Sequence, residues 1–152
     1  MIIEKVISGG QSGVDRAALD AAIDNGIEHG GWCPKGRTAE DGVITGRYNL
    51  TETDSADYAI RTRLNVRDAD GTLIIIMAGR LEGGTGLTAQ LASSSNKPLL
   101  IIDLGQPLQP NLVDSWINNQ HIKILNIAGP RESKQPGIYQ KTYAFLDNIF
   151  KY

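Results

Sequence analysis

The chain has 152 residues, with 15 lysines and arginines, 17 aspartates and glutamates, and a formal net charge of -2. This length fits one domain with its own core. The charge balance argues against broad, nonspecific nucleic-acid binding, although it leaves room for one local basic pocket, and the apolar runs are too short to span a bilayer.

Two further features bear on location. Cys33 is the single cysteine, which excludes an intrachain disulfide and favours a reducing compartment. The first residues lack the basic segment, apolar stretch and cleavage site of a signal peptide. We therefore expect a cytoplasmic protein with no membrane and no nucleic-acid partner.

Strand-like and helix-like segments alternate along the chain. Apolar runs predict strands over 2–7, 27–32, 72–77, 98–104 and 122–128, and helical spacing predicts helices over 13–25, 55–67, 85–95, 112–119 and 137–150. This alternation predicts an α/β fold, with one Rossmann-like domain over residues 1–152 and helices on both faces of a parallel sheet. The polar segment 33–53 is too long for an idle connection, so we expect it to be functional or ordered by a ligand.

Two glycine-rich loops each follow a strand-like run and open a helix-like run. Their candidate ligand-binding residues are Gly9, Gly10, Gln11, Ser12 and Gly13 in the first loop, and Gly83, Gly84, Thr85, Gly86 and Thr88 in the second. Glycines admit a ligand close to main-chain N–H groups, and the first turn of a helix attracts anions. The loops therefore predict a phosphate site at the carboxyl edge of the sheet, although tight turns without a ligand are the plainer alternative.

Charged residues near these loops allow more than one interpretation. Asp15 has the capping-box spacing from Ser12, and its carboxylate either competes with a phosphate or accepts a ribose hydroxyl. Arg16 can offset that charge. Arg131, in a third loop, can hold a phosphate or carboxylate bidentately, or form an ion pair with Glu132 or Asp147.

A cluster in the middle of the chain joins an aromatic ring to two cations. Trp32 can stack on a planar ring while Lys35 and Arg37 meet phosphate, or Trp32 fills the core or an oligomer interface. His29 and His121 have no neighbours at ligand spacing, so we expect no metal site.

Several motifs together resemble the family described as putative molybdenum carriers. They are SGGQSGVDRAALD at 8–20, HGGWCPKGR at 29–37, AEDG at 39–42, NVRDADGT at 65–72, GGT at 83–85 and NIAGPRES at 126–133. That family usually has Thr at the position of Ser12, and the hydroxyl is retained here. The resemblance implies a Rossmann-like fold, a homodimer or homotetramer, and a bound nucleotide or molybdenum cofactor (molybdopterin), a phosphorylated pterin.

The family is in turn similar to lysine-decarboxylase-like phosphoribohydrolases. Against their Pro-Gly-Gly-x-Gly-Thr-x-x-Glu signature, Glu82 replaces Pro, Leu87 replaces Thr and Gln90 replaces the catalytic Glu. An amide cannot act as a general base or stabilise an oxocarbenium-like centre by charge. The comparison favours a binding or carrier protein for a phosphorylated ligand, with no catalytic residue assigned.

Two alternatives remain at this stage. Asp41 or Asp103 could replace the missing glutamate in a nucleotide-processing hydrolase. A nucleotide-sensing domain that signals to a partner protein is the other.

Overall fold

The computed structural model describes residues 2–109 and 111–151. Within them, nine strands and five helices follow one another along the chain. They are β1 (Lys5–Ile7), α1 (Val14–Asp24), β2 (Glu28–Gly30), β3 (Trp32–Cys33), β4 (Thr38–Ala39), β5 (Gly42–Val43), β6 (Thr51–Glu52), α2 (Tyr58–Asp68), β7 (Gly71–Ile76), α3 (Gly83–Ser94), β8 (Leu99–Asp103), α4 (Leu112–Asn119), β9 (Ile124–Ala128) and α5 (Ile138–Phe150).

Five of the strands form the central sheet, in the order β2-β1-β9-β7-β8. All neighbours in it are parallel, and β9 lies between β1 and β7. Asn126 of β9 is in register with Ile7 on one side and Thr72 on the other. The predicted α/β class with a Rossmann-like parallel sheet is confirmed.

Helices cover both faces of the sheet. On one face, α1, α4 and α5 pack against the main apolar cluster, which includes Leu73, Leu125 and Ile127. On the other, α2 and α3 lie against β9 and β7. Every residue of β7 is buried, as expected for a strand covered on both sides.

The polar segment 33–53 folds back onto α1. It contains the strand pair β4 with β5, and its β6 pairs with β3, which begins one residue before the segment. Ile44 and Tyr48 pack against Leu19 and Cys33. The Arg37 guanidinium donates to four main-chain carbonyl oxygens of the same segment. This segment is therefore held by its own contacts. In the part of the chain that the structure describes, no helix has the length and apolarity needed to cross a membrane.

Candidate functional site

A cleft of about 430 Å³ opens where the central strands end. Gly9 follows β1, the segment 77–82 joins β7 to α3 and leads into its first turn, and the segment 129–135 follows β9. Side chains of α2 form the remaining wall. Because these strands are parallel, their carboxyl ends meet at one edge, which is where α/β proteins commonly bind ligands.

The N-terminus of α3 faces this cleft with little of the protein in front of it. Glu82 precedes the helix and its side chain makes no capping hydrogen bond. Among the described residues, none accepts a hydrogen bond from the amides of Gly83 and Gly84. A Cβ atom built on either glycine would meet nothing within 4 Å. Two amides at the positive end of a helix are thus available to a ligand.

Positive charge exceeds negative charge along the walls. Arg61, Arg80, Arg131 and Lys134 line the cleft, against the carboxylates of Asp15 and Glu82. The chain as a whole is slightly acidic, so this surplus is local. An anion in the cleft gains from it.

Buried polar side chains form the floor. Asp15 is 6% exposed, Arg61 9% and Asn126 2%. Arg61 Nη1 donates to the Gly9 carbonyl oxygen at 2.7 Å, and its guanidinium carbon lies 5.0 Å from the centre of the Tyr58 ring. Burial raises the pKa of Asp15, while the Arg61 charge and the Gln11 N–H offset part of that rise.

The first glycine loop differs from the second because the amides of Gln11 and Ser12 at its centre are already engaged. The Gln11 N–H donates to Asp15 Oδ2 at 3.2 Å, and the Ser12 N–H donates to Gln11 Oε1 at 3.0 Å. The Val14 N–H donates to the Pro130 carbonyl oxygen at 3.2 Å. Residue 13 is the N-cap of α1 and no side chain caps this helix, so the predicted capping box of Ser12 and Asp15 is wrong.

Glu40, between β4 and β5, ties the first loop to the third. Its carboxylate accepts hydrogen bonds from the hydroxyls of Ser12 and Ser133 and lies 3.3 Å from Nε of Arg131. Burial raises the pKa of Glu40, but these hydrogen bonds and Arg131 outweigh it and leave the pKa lowered. Arg131 therefore pairs with Glu40, where the sequence suggested Glu132 or Asp147.

Glu40→Ala is expected to destabilise the fold by about 1–2 kcal/mol, because it removes several hydrogen bonds to a charged group. A lowered pKa means that the contribution is present above the unfolded pKa of about 4.3 and is lost as the pH falls through the folded pKa. Urea unfolding at pH 7 should thus give a lower free energy of unfolding for the variant than for the wild type. At pH 3 this difference in free energy should be smaller. A difference that stays constant with pH would contradict this account.

The structure brings about half of the predicted site residues into the cleft. Those lining it are Gly9, Gln11, Gly83, Gly84, Thr85, Thr88 and Arg131. Those outside its lining are Gly10, Ser12, Gly13, Arg16, Trp32, Lys35, Arg37 and Gly86.

Two of the outer residues are held by other contacts. Arg16 forms a bidentate pair with Asp41, at 2.9 and 3.1 Å. The indole N–H of Trp32 donates to Asp68, and Asn65 binds both its main-chain N–H and its carbonyl oxygen.

Sequence reasoning left other lining residues out of the site. They include Tyr58, Asn65, Arg80, Asn126 and Lys134. Asn126 carried a usable signal, since it is a polar residue inside an otherwise apolar strand. For Tyr58 we find no such signal, because nothing local says that the start of α2 reaches the cleft.

The carboxylates considered for a hydrolase lie elsewhere. Asp41 is paired with Arg16, and Asp103 Oδ1 accepts the Gly105 N–H at 2.8 Å at the end of β8. Gln90 is exposed on α3. None of the three lines the cleft.

Comparison with protein families identifies the chain. Residues 6–150 match the circularly permutated YpsA SLOG family. The chain belongs to this family. The match spans nearly all of the sequence, so the cleft, both glycine loops and the segment 33–53 are all parts of the circularly permutated YpsA SLOG domain.

A solved structure supports the family assignment. It is a putative molybdenum carrier protein from Syntrophus aciditrophicus SB, with 50% identity and a TM-score of 0.92 over 97% of this chain and 94% of that one. The resemblance to molybdenum carriers seen in the sequence is thereby confirmed. An (E)-4-hydroxy-3-methyl-but-2-enyl diphosphate reductase aligns with 97% of this chain and 59% of its own, at 12% identity and a TM-score of 0.41. Comparison with curated proteins finds no match.

Proposed function

We propose that this protein binds a phosphorylated, ring-bearing small molecule, a molybdopterin-type pterin or a nucleotide, in the cleft. The observation that carries the proposal is the open N-terminus of α3. The amides of Gly83 and Gly84 have no partner among the described residues, and nothing stands in front of either Cα. A phosphate group there would receive main-chain hydrogen bonds and the favourable end of the helix dipole.

The surrounding charge supports an anionic ligand. Arg80, Arg131 and Lys134 line the same cleft. The Thr88 hydroxyl donates to the Gly84 carbonyl oxygen at 2.9 Å, which steadies the first turn of α3. The first loop contributes to our proposal as a wall of the cleft, because Gly9 and Gln11 line it while the amides of Gln11 and Ser12 already have partners.

The aromatic partner of the ligand ring is Tyr58 in this proposal, in place of Trp32. Tyr58 lines the cleft and is 36% exposed, with Arg61 packed against its ring. A tyrosine fixed in this way offers a flat surface to a planar ring at low entropic cost. The name of the Syntrophus aciditrophicus relative, a molybdenum carrier, favours a molybdenum-related ligand.

We further propose binding without hydrolysis, by a cytoplasmic homodimer or homotetramer. The absence of Asp41, Asp103 and Gln90 from the cleft lining supports the first part. The oligomer and the location rest on the family resemblance and on the composition.

Gly84→Val tests the anion site. A Cβ atom at this position would meet nothing of the protein within 4 Å, so the fold should tolerate it, while the side chain fills the space in front of the amides. A phosphorylated ligand at 100 times its Kd should stabilise the folded wild type by about 2.7 kcal/mol. For a chain of this size, this corresponds to a rise in Tm of roughly 5–11 °C. The variant should lose this shift.

Gly46→Val is the matched control, because position 46 is equally open and lies outside the cleft. A thermal-shift panel should contain AMP, GMP, pyrophosphate, a phosphorylated pterin and molybdate. We expect the phosphorylated compounds to raise Tm and molybdate alone to do little. If no phosphorylated compound acts, or if Gly84→Val retains the shift, the proposed anion site is wrong.

A further inference from the structure

We infer that Asp15 and Asn126 form a second subsite in the cleft, which accepts hydrogen bonds from a pair of donor groups on the phosphorylated ligand. The inference rests on the proposed function and adds a criterion for which ligands are accepted. The donor pair is either two neighbouring hydroxyls, as on a sugar, or the N–H and amino edge of a ring. Both have the chemistry that two acceptors lining one cleft recognise.

Asp15 has one oxygen committed and one available. Oδ2 accepts the Gln11 N–H at 3.2 Å. The Ser8 hydroxyl is nearby but donates to the Ile127 carbonyl oxygen at 2.6 Å. Within residues 2–109 and 111–151, no hydrogen bond reaches Oδ1 of Asp15, although the residue is 94% buried and lines the cleft.

Asn126, on β9, likewise has one engaged and one available polar atom. Its amide nitrogen donates to the Thr72 hydroxyl at 3.3 Å. Its carbonyl oxygen receives no hydrogen bond from any residue that the structure describes, and the side chain is 98% buried in the cleft floor. Neither of these two oxygens is among the sealed unpaired atoms of the described residues, so both are reached from the cleft and can accept hydrogen bonds from donors on a ligand.

The cleft therefore combines two kinds of recognition. The α3 amides and the cations Arg80 and Lys134 are donors and suit a phosphate. Asp15 and Asn126 are acceptors and suit hydroxyl or amino groups. A ligand that lacks the donor pair leaves the acceptors buried and unpaired, which should weaken its binding roughly tenfold or more.

Isothermal titration with matched nucleotides tests this. 2′,3′-Dideoxy-AMP differs from AMP only in lacking the hydroxyl pair. IMP differs from GMP only in lacking the ring amino group. Pyrophosphate has neither and reports on the anion site alone. In the wild type, the Kd values within at least one pair of nucleotides should differ roughly tenfold or more, and the pair that differs identifies the donor groups.

Asp15→Asn should abolish that difference. Its amide oxygen is needed by the Gln11 N–H, so the amide NH₂ turns toward the cleft and opposes a donor on the ligand. Pyrophosphate should still bind, which shows that the variant is folded. Asp54→Asn, on an exposed loop outside the cleft, is the control for the loss of one charge.

The outcomes are distinct. If pyrophosphate binds the wild type while neither nucleotide pair differs, or while no nucleotide binds, the second subsite is wrong and the anion site stands. A difference that persists in Asp15→Asn also overturns it. If Asp15→Asn fails to fold, the Kd values of the two nucleotide pairs on the wild type decide whether the second subsite exists. If neither pyrophosphate nor any nucleotide binds, the proposed function fails as well.

Discussion

Gly129→Ala is expected to destabilise this protein by about 3 kcal/mol or more. Gly129 directly follows β9 and lies against β7. A Cβ atom there would be 2.2 Å from the Ile75 carbonyl oxygen and 2.6 Å from Cγ2 of Val14. Neither atom can retreat easily, because both belong to the central packing. Tm should fall by roughly 6–12 °C, at the 2–4 °C per kcal/mol typical of this chain length.

Gly46→Ala provides the matched control, since a Cβ atom at position 46 meets nothing within 4 Å. Its effect should remain within about 0.5 kcal/mol. Differential scanning calorimetry of both variants measures the contrast. Equal Tm values for the two would mean that β7 and the start of the third loop lie farther apart than described.

Arg61→Leu should destabilise the fold by about 2–4 kcal/mol. The guanidinium is 9% exposed, donates to the Gly9 carbonyl oxygen and packs on the Tyr58 ring. Its removal leaves that carbonyl oxygen without its donor, and the buried Asp15 carboxylate keeps only the weaker influence of the Arg16 charge. Arg63→Leu, an exposed change on the same helix, is the control and should have little effect.

The loss in Arg61→Leu should also depend on pH. Burial raises the pKa of Asp15 and the Arg61 charge lowers it, so the variant raises this pKa further. The folded state then holds a proton that the unfolded state, with a pKa near 3.9, releases. Stability therefore falls as pH rises above that value.

Urea unfolding should show a larger loss at pH 7 than at pH 4. Adding Asp15→Asn should restore part of the stability at pH 7. If the loss is the same at both pH values, the charge of Asp15 is not what Arg61 offsets.

The sequence predicted the central elements well where packing leaves a clear pattern. The apolar run 72–77 corresponds to β7, Gly71–Ile76, and the predicted helix 112–119 matches α4. The strand order could not be predicted, because the apolar pattern of β9 does not specify its neighbours. The strands within 33–53 were missed because each has only two residues.

The candidate site was predictable only in part, for a related reason. The second glycine loop follows from local sequence. In the first loop, however, the Ser12 hydroxyl donates to Glu40 and accepts from the Glu132 N–H, and the Val14 N–H that follows the loop donates to the Pro130 carbonyl oxygen. These partners are distant in sequence, so no local motif could show that these groups are already engaged.

The position of β9 has a consequence for synthesis of the protein. Strands β1 and β2 form one parallel pair and β7 and β8 another, and β9 joins the two. On the ribosome these pairs emerge first and have no contact in the sheet until residues 124–128 leave the exit tunnel. Until then, we expect the nascent chain to contain two separate strand pairs with unpaired, apolar edges. Chaperones bind such a state, and aggregation competes with its folding.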